Sequence, residues 1–264
     1  MKLKTLLMGA VASTAFAPMA FAEAHEGERG RDGEVKIIYW QAPSILNPYL
    51  SSGTKDVEAS SLILEPLGRY DETGALVPYL ANEIPTLENG GVSEDLKTIT
   101  WKLKDGLMWS DGSPVTANDV KFTADYCMNP EGGCAQLAKF EGVSSVDVVD
   151  DQTVKVTFSE PMPNPYGPFM GGQSPIIQAA QFADCTGAKA PECTEANFNP
   201  IGTGPFTVTE FRPNDVITMA ANENYRDPSK PAFATLTFKG GGDATAAGRA
   251  VMETGEFDYA WNLQ

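Results

Sequence analysis

Four cysteines and one histidine bound the reactive chemistry open to this chain of 264 residues. The cysteines fall as two close pairs, Cys127 with Cys134 and Cys185 with Cys193. Three connectivities are formally open to four cysteines. Turn residues sit inside each pair, Asn129-Pro130-Glu131-Gly132-Gly133 in the first and Thr186-Gly187 with Pro191 in the second, so two local bridges are expected. Closing loops this short contributes about 2–3 kcal/mol each through lost freedom of the unfolded chain. Zinc would want closer cysteine spacing and more ligands, and the sole histidine is His25; no metal site is expected. A serine–histidine pair fails on the same shortage. The 35 acidic residues show no spacing that marks two of them as a hydrolytic pair. The run Gly240-Gly241-Gly242-Asp243 precedes a helical segment as a phosphate cradle would, yet it lacks the Lys-Ser/Thr of a P-loop and the full dinucleotide fingerprint. It reads as a flexible strand-to-helix turn. No catalytic set and no cofactor are expected.

The chain opens with Lys2 and Lys4 before an uncharged run from Thr5 to Ala22, closing on Ala20-Phe21-Ala22. A positive start, a short apolar core and a small-residue exit predict a signal peptide cleaved after Ala22. Gly9 and Pro18 interrupt the run, which is marginal for a membrane span. No cysteine lies at the cleavage site to carry a lipid, so the mature chain is expected free in the periplasm, as a monomer. Removing Lys2 and Lys4 leaves 17 basic against 35 acidic side chains, a net charge of −18. Such a field repels nucleic acid and anionic membranes. It does not identify what is bound.

The elements that would position any site follow from periodicity. Residues 23–33 read as a loose lead-in. Val35–Trp40 is short, β-branched and aromatic, hence a buried strand, and the Pro- and Ser-containing segment Pro43–Gly53 is a loop leaving its end. A helix is expected from Asp56 to about Leu67. Ile99, Trp101 and Leu103 alternate on one face of a half-buried strand. Thr116-Ala-Asn-Asp119 has the form of a capping box, starting a helix to about Met128 with Val120, Ala124 and Cys127 inward. Two hairpins are expected, Val143–Val149 with Thr153–Phe158 and Gly204–Phe211 with Val216–Asn222. Strand Leu236–Lys239, helix Ala244–Thr254 and strand Phe257–Trp261 then predict a parallel crossover unit and a mixed α/β fold. The last strand has no capping turn after it, which suggests a chain that continues.

Two stretches carry a family likeness. Trp101-Lys-Leu-Lys-Asp-Gly-Leu-Met-Trp-Ser-Asp-Gly-Ser-Pro-Val-Thr-Ala-Asn-Asp-Val-Lys-Phe122 resembles the signature region of the extracellular solute-binding protein family 5, the oligopeptide-, dipeptide- and nickel-binding proteins of ABC importers. Asn199-Pro-Ile-Gly-Thr-Gly-Pro-Phe206, followed by Asn222-Glu-Asn-Tyr225, is similar to the same family's later motif, and Leu46-Asn47-Pro48 and Gly255-Glu-Phe-Asp258 match in order.

The resemblance implies an α/β, periplasmic-binding-protein-like fold of type II with an extra domain, mixed sheets and flanking helices. It places residues 34–65 and 198–264 in one ligand-gripping lobe and 66–197 in the extra domain, with the second gripping lobe beyond Gln264. It implies capture of a peptide by lobe closure and delivery to an ABC permease in the inner membrane. An oligosaccharide, an opine or a metal chelate is the alternative solute, and an exported hydrolase or sensory protein the alternative class. The family's backbone-binding segment aligns with Ser52, Gly53 and Thr54. Trp261 and Asn262, at the carboxyl end of a strand, offer a ring and an amide where open α/β lobes hold ligands. Trp109 to Asp119 is expected to be a structural corner, and Gly202 and Gly204 to set a backbone turn.

Overall fold

The computed structural model describes residues 28–241 and 243–261. In chain order the elements are β1 (Glu34–Tyr39), α1 (Thr54–Ser60), β2 (Gly68–Tyr70), β3 (Leu76–Pro78), β4 (Thr98–Lys102), α2 (Ala117–Met128), β5 (Val143–Asp150) and β6 (Thr153–Phe158). They continue with α3 (Ala179–Phe182), α4 (Thr194–Phe198), β7 (Phe206–Arg212), β8 (Val216–Ala221), β9 (Thr235–Gly240), α5 (Ala244–Met252) and β10 (Tyr259–Ala260). Short 3-10 turns cover Pro48–Leu50, Leu137–Phe140 and Gly187–Glu192.

The main sheet runs β10-β1-β9-β8-β7. β1 is parallel to both neighbours, and β8 is antiparallel to β9 and β7. β1 is thus flanked on both sides by parallel partners, and burial deepens along it: residues 35–37 are half-buried, and Ile38 and Tyr39 are buried. The two faces differ in what covers them: Tyr39, Ile217, Met219, Leu236 and Phe238 join the large core, while Ile38, Phe257 and Ala260 pack with Ala247 of α5. α5 is therefore the crossover from β9 to β10 that sequence periodicity predicts. Its helix stops at Met252, and the last strand pairs only through Tyr259 and Ala260.

A second, antiparallel sheet has the order β4-β6-β5, with α2 laid on β5 and β6. Val120, Ala124 and Cys127 are fully buried, as their helical spacing predicts. Ile99 and Trp101 of β4, and Leu103 just past its end, fill the same core. β2 and β3 form a separate short hairpin.

The expected helix Asp56–Leu67 needs correcting. α1 starts at Thr54 and stops at Ser60; residues 61–63 turn, and 64–66 leave as irregular chain. Pro66 disfavours helix in the residue before it, and Ile63 and Leu62 carbonyls accept from Gly204 and Phe206 amides at 2.7 and 3.1 Å. That contact explains Gly202 and Gly204 better than a turn does: a Cβ on Gly202 would stand 1.9 Å from the Ile63 oxygen and one on Gly204 2.7 Å from it. Neither glycine has a positive φ. They are glycines because two backbones touch.

One cluster of buried apolar side chains joins the main sheet to the second sheet and α2. Buried polar groups stitch it further: Asn47 donates to Tyr126 Oη at 3.0 Å and to Asn197 Oδ1 at 2.8 Å, and Arg226 grips Glu65 through two bonds of 2.5 and 3.0 Å.

Candidate functional site

The site is built around a loop and the first turn of α1. At the carboxyl end of β1 the chain turns through residues 40–53, and one buried carboxylate holds that turn. Asp56, 2% exposed, accepts from Ser44 N at 2.7 Å, from Ser51 Oγ at 2.7 Å and from Lys55 Nζ at 2.9 Å. Burial alone would raise its pKa, but the bonds from Ser51, Lys55 and the Ser44 amide outweigh burial and hold it below the usual carboxylate range. From the far side, Gln136 Nε2 donates to the carbonyls of Pro48 and Ser51, both at 3.1 Å, and Ala135 N donates to Tyr49 O at 2.8 Å. Gln136 follows directly on the Cys127–Cys134 bridge, which has formed, as has Cys185–Cys193. Both expected local pairings are thus present.

This scaffolding presents Ser52, Gly53 and Thr54. Gly53 is the N-cap of α1, and a Cβ there would come within 3.0 Å of Asp56 Oδ2. Ser52 and Thr54 line a cleft of about 370 Å³. Val57 and Glu58 of α1 and Lys139 border it, and the segment Met170–Gln173 forms its opposite side. Among the described residues, the amides of Ser52, Thr54, Gly172 and Gln173 meet no hydrogen-bond acceptor. Sequence reading missed Glu58 because it began the helix at Asp56. With the start at Thr54, Glu58 falls four residues on and hence on the same face.

A second hollow, of about 350 Å³, lies beyond the carboxyl ends of β1 and β9, bordered by Trp40, Gln41, Lys55, Asn214, Gly240 and Gly241. Trp261 closes beside it. Its ring lies 4.1 Å from that of Trp40 and 5.8 Å from that of Tyr39, centroid to centroid, and is 39% exposed. It is a half-open platform. Asn262 lies outside the described residues. Trp40 was legible only as a strand residue, and its pairing with Trp261 rests on β1 and β10 being neighbours across more than two hundred intervening residues.

Two glycines of the run beside this hollow, Gly240 and Gly241, turn their amides inward. Gly241 N donates to Tyr39 O at 3.0 Å and Gly240 N to Asp215 O at 3.1 Å, so those amides are spent internally. A Cβ on Gly240 would stand 1.9 Å from Ala42 N. Asp243 caps α5 by accepting from Ala246 N at 2.8 Å.

Tyr39 joins the two hollows, its ring packing against Trp40 and Trp261 and its hydroxyl donating to Glu58 Oε2. Burial, reinforced by Glu58, raises that hydroxyl's pKa well above the ordinary phenol value, so it remains a donor. The Trp109–Asp119 segment stands apart from both hollows. Trp101 and Trp109 are buried, and Asp119 accepts from Thr116 N, from Ala179 N and from Trp109 Nε1 at 2.9, 2.9 and 3.4 Å. It is a corner of the core, as its turn and cap residues predict.

Comparison with known proteins places this geometry. The chain is 24% identical over 218 residues to the glutathione-binding protein GsiB of Shigella boydii serotype 4, covering 83% of this chain and 40% of that protein. The ABC transporter substrate-binding protein CtaP of Listeria monocytogenes superposes with a TM-score of 0.73 at 28% identity, over 87% of this chain and 44% of that one. The oligopeptide-binding protein AppA of Bacillus subtilis, solved with a nonapeptide, gives 0.73 at 25% identity, over 88% and 44%. The chain thus spans less than half the length of these relatives, and its mixed sheets and helices are periplasmic-binding-protein-like. The description "Bacterial extracellular solute-binding proteins, family 5 Middle" matches residues 75–264, and the chain belongs to that family.

Proposed function

We propose that this chain supplies one wall of the ligand cleft in the substrate-binding component of an ABC importer, and that the solute is a peptide. The observation that carries the reading is the cleft at Ser52–Glu58. It is open, it is joined through the Glu58–Tyr39 bond to the carboxyl end of β1, near which ligands of open α/β sheets bind, and among the described residues the amides of Ser52, Thr54, Gly172 and Gln173 have no partners. Outward-facing amides suit the carbonyls of an extended backbone, as a sheet edge does. The names of GsiB and AppA point the same way.

In this reading residues 34–65 and 198–264 form one gripping lobe and 66–197 the domain packed on it. Chain beyond Gln264 supplies the opposing lobe. Closure of the two is a hinge equilibrium that ligand contacts bias, and the closed form docks on a membrane permease driven by cytoplasmic ATPases. Residues 1–22 direct export, with cleavage after Ala22 and release into the periplasm. A chain presenting one wall alone binds weakly, because most of the contacts that reward closure are missing. The half-open Trp40–Trp261 platform favours a second reading, a ring-bearing solute such as an oligosaccharide.

Saturation-transfer NMR with tripeptides, an oligosaccharide, an opine and a nickel chelate tests this. Transfer to the peptides alone is expected. Transfer to the oligosaccharide alone would overturn the peptide reading, and turnover of any probe would overturn a purely binding role.

A further inference from the structure

The cleft at Ser52–Glu58 contains one carboxylate, Glu58, and one ammonium, Lys139. They come from different parts of the chain, α1 and the 3-10 turn Leu137–Phe140. Among the described residues neither has an ion-pair partner, and they are not paired with each other. Lys55 is committed to Asp56 and Arg226 to Glu65, and Arg69 is turned to the Ser61 carbonyl and the Tyr79 ring. Glu58 is also anchored: its Oε2 accepts the Tyr39 hydroxyl, and Oε1 has no partner among the described residues.

Two half-buried charges of opposite sign, left unpaired in one cleft, are complementary to a ligand that carries both signs. We infer that Glu58 and Lys139 are specificity-determining residues, Glu58 receiving a ligand's ammonium and Lys139 its carboxylate, so that the cleft prefers short zwitterions over neutral solutes. Charge-assisted hydrogen bonds at both ends are about twice as strong as neutral ones. A ligand lacking either group leaves one protein charge desolvated and unmatched, which discriminates by penalty as well as by attraction. The field of the whole chain agrees. A net charge of −16 opposes anionic ligands and is indifferent to a zwitterion, and Lys139 is the cation that lines this cleft. Reading both ends within about 370 Å³ also limits length, because a long peptide cannot place both termini in one cleft.

This inference rests on the proposed binding role, and the test separates the two. The isotopically labelled chain is titrated with trialanine, N-acetyl-trialanine and trialanine amide, following backbone amides by NMR. Trialanine is expected to shift residues 52–58 and 171–173, and each blocked form to bind at least tenfold more weakly. In E58Q the penalty for acetylation disappears while that for amidation stays, and K139Q does the reverse. K139R is expected to retain the carboxylate preference. Blocked and free peptides binding equally at these residues would overturn the charge assignment and leave the binding role standing. Shifts confined to other regions, or none with any probe, would overturn both.

Discussion

Asp56 is the residue on which the cleft's geometry most depends. Two serines and a lysine converge on its carboxylate together with a backbone amide, and Ser51 at their centre leads into Ser52. Replacing Asp56 with Ala leaves those donors buried without an acceptor, and loss of about 3 kcal/mol is expected in urea unfolding at neutral pH. The pH dependence has a definite sign. The folded pKa lies below the unfolded value of about 3.9, so the stabilisation is fully present above the unfolded value and is lost as pH falls through the folded one. Unfolding free energy measured from pH 7 to pH 3 should therefore be flat on Asp56's account above about pH 5 and fall below it, and D56N should shrink that acid limb. From sequence Asp56 was legible only as a helix start. Its role comes from residues 44 and 51 folding back on it, which no period announces.

At the scale of elements, the readings that held are those in which one local pattern decides the outcome. α2 begins where the Thr116–Asp119 spacing puts it, and the hairpins β5–β6 and β7–β8 turn at their polar tips. The Cys127–Cys134 and Cys185–Cys193 bridges close over turn chemistry for the same reason. The reading that failed is the one a distant strand decides. Leu62, Ile63 and Leu64 read as a continuation of α1, but the Leu62 and Ile63 carbonyls are taken by the Phe206 and Gly204 amides across the fold. Gly202 makes that approach possible, and Gly202→Ala should destabilise by about 2–3 kcal/mol in thermal or urea unfolding, because the displaced atom is backbone and has nowhere soft to move. The clefts were half legible for a related reason: Ser52, Gly53 and Thr54 are consecutive in sequence, whereas Glu58, Lys139 and Gln173 meet only after three separate segments pack.

For the molecule as a whole, the disulfide Cys127–Cys134 acts on the cleft at a distance. It fixes the segment whose Ala135 and Gln136 hold Tyr49, Pro48 and Ser51. The double variant C127S/C134S should lose about 2–3 kcal/mol of stability, and hydrogen exchange should quicken at residues 48–54 more than on the distant strands β7 and β8. Uniform quickening would mean that the bridge steadies the fold without serving the cleft. The main sheet has a further consequence, one of timing. β1 is among the first segments to be synthesised, yet its partners β9 and β10 lie about 200 residues downstream. The hairpin β5–β6 with α2 needs only its own neighbourhood, but β1 has no edge to join until β9 exists. A growing chain thus carries β1 unpaired while about 200 further residues are added. It remains threadable for that long, the condition a polypeptide must meet to pass a narrow pore before it folds.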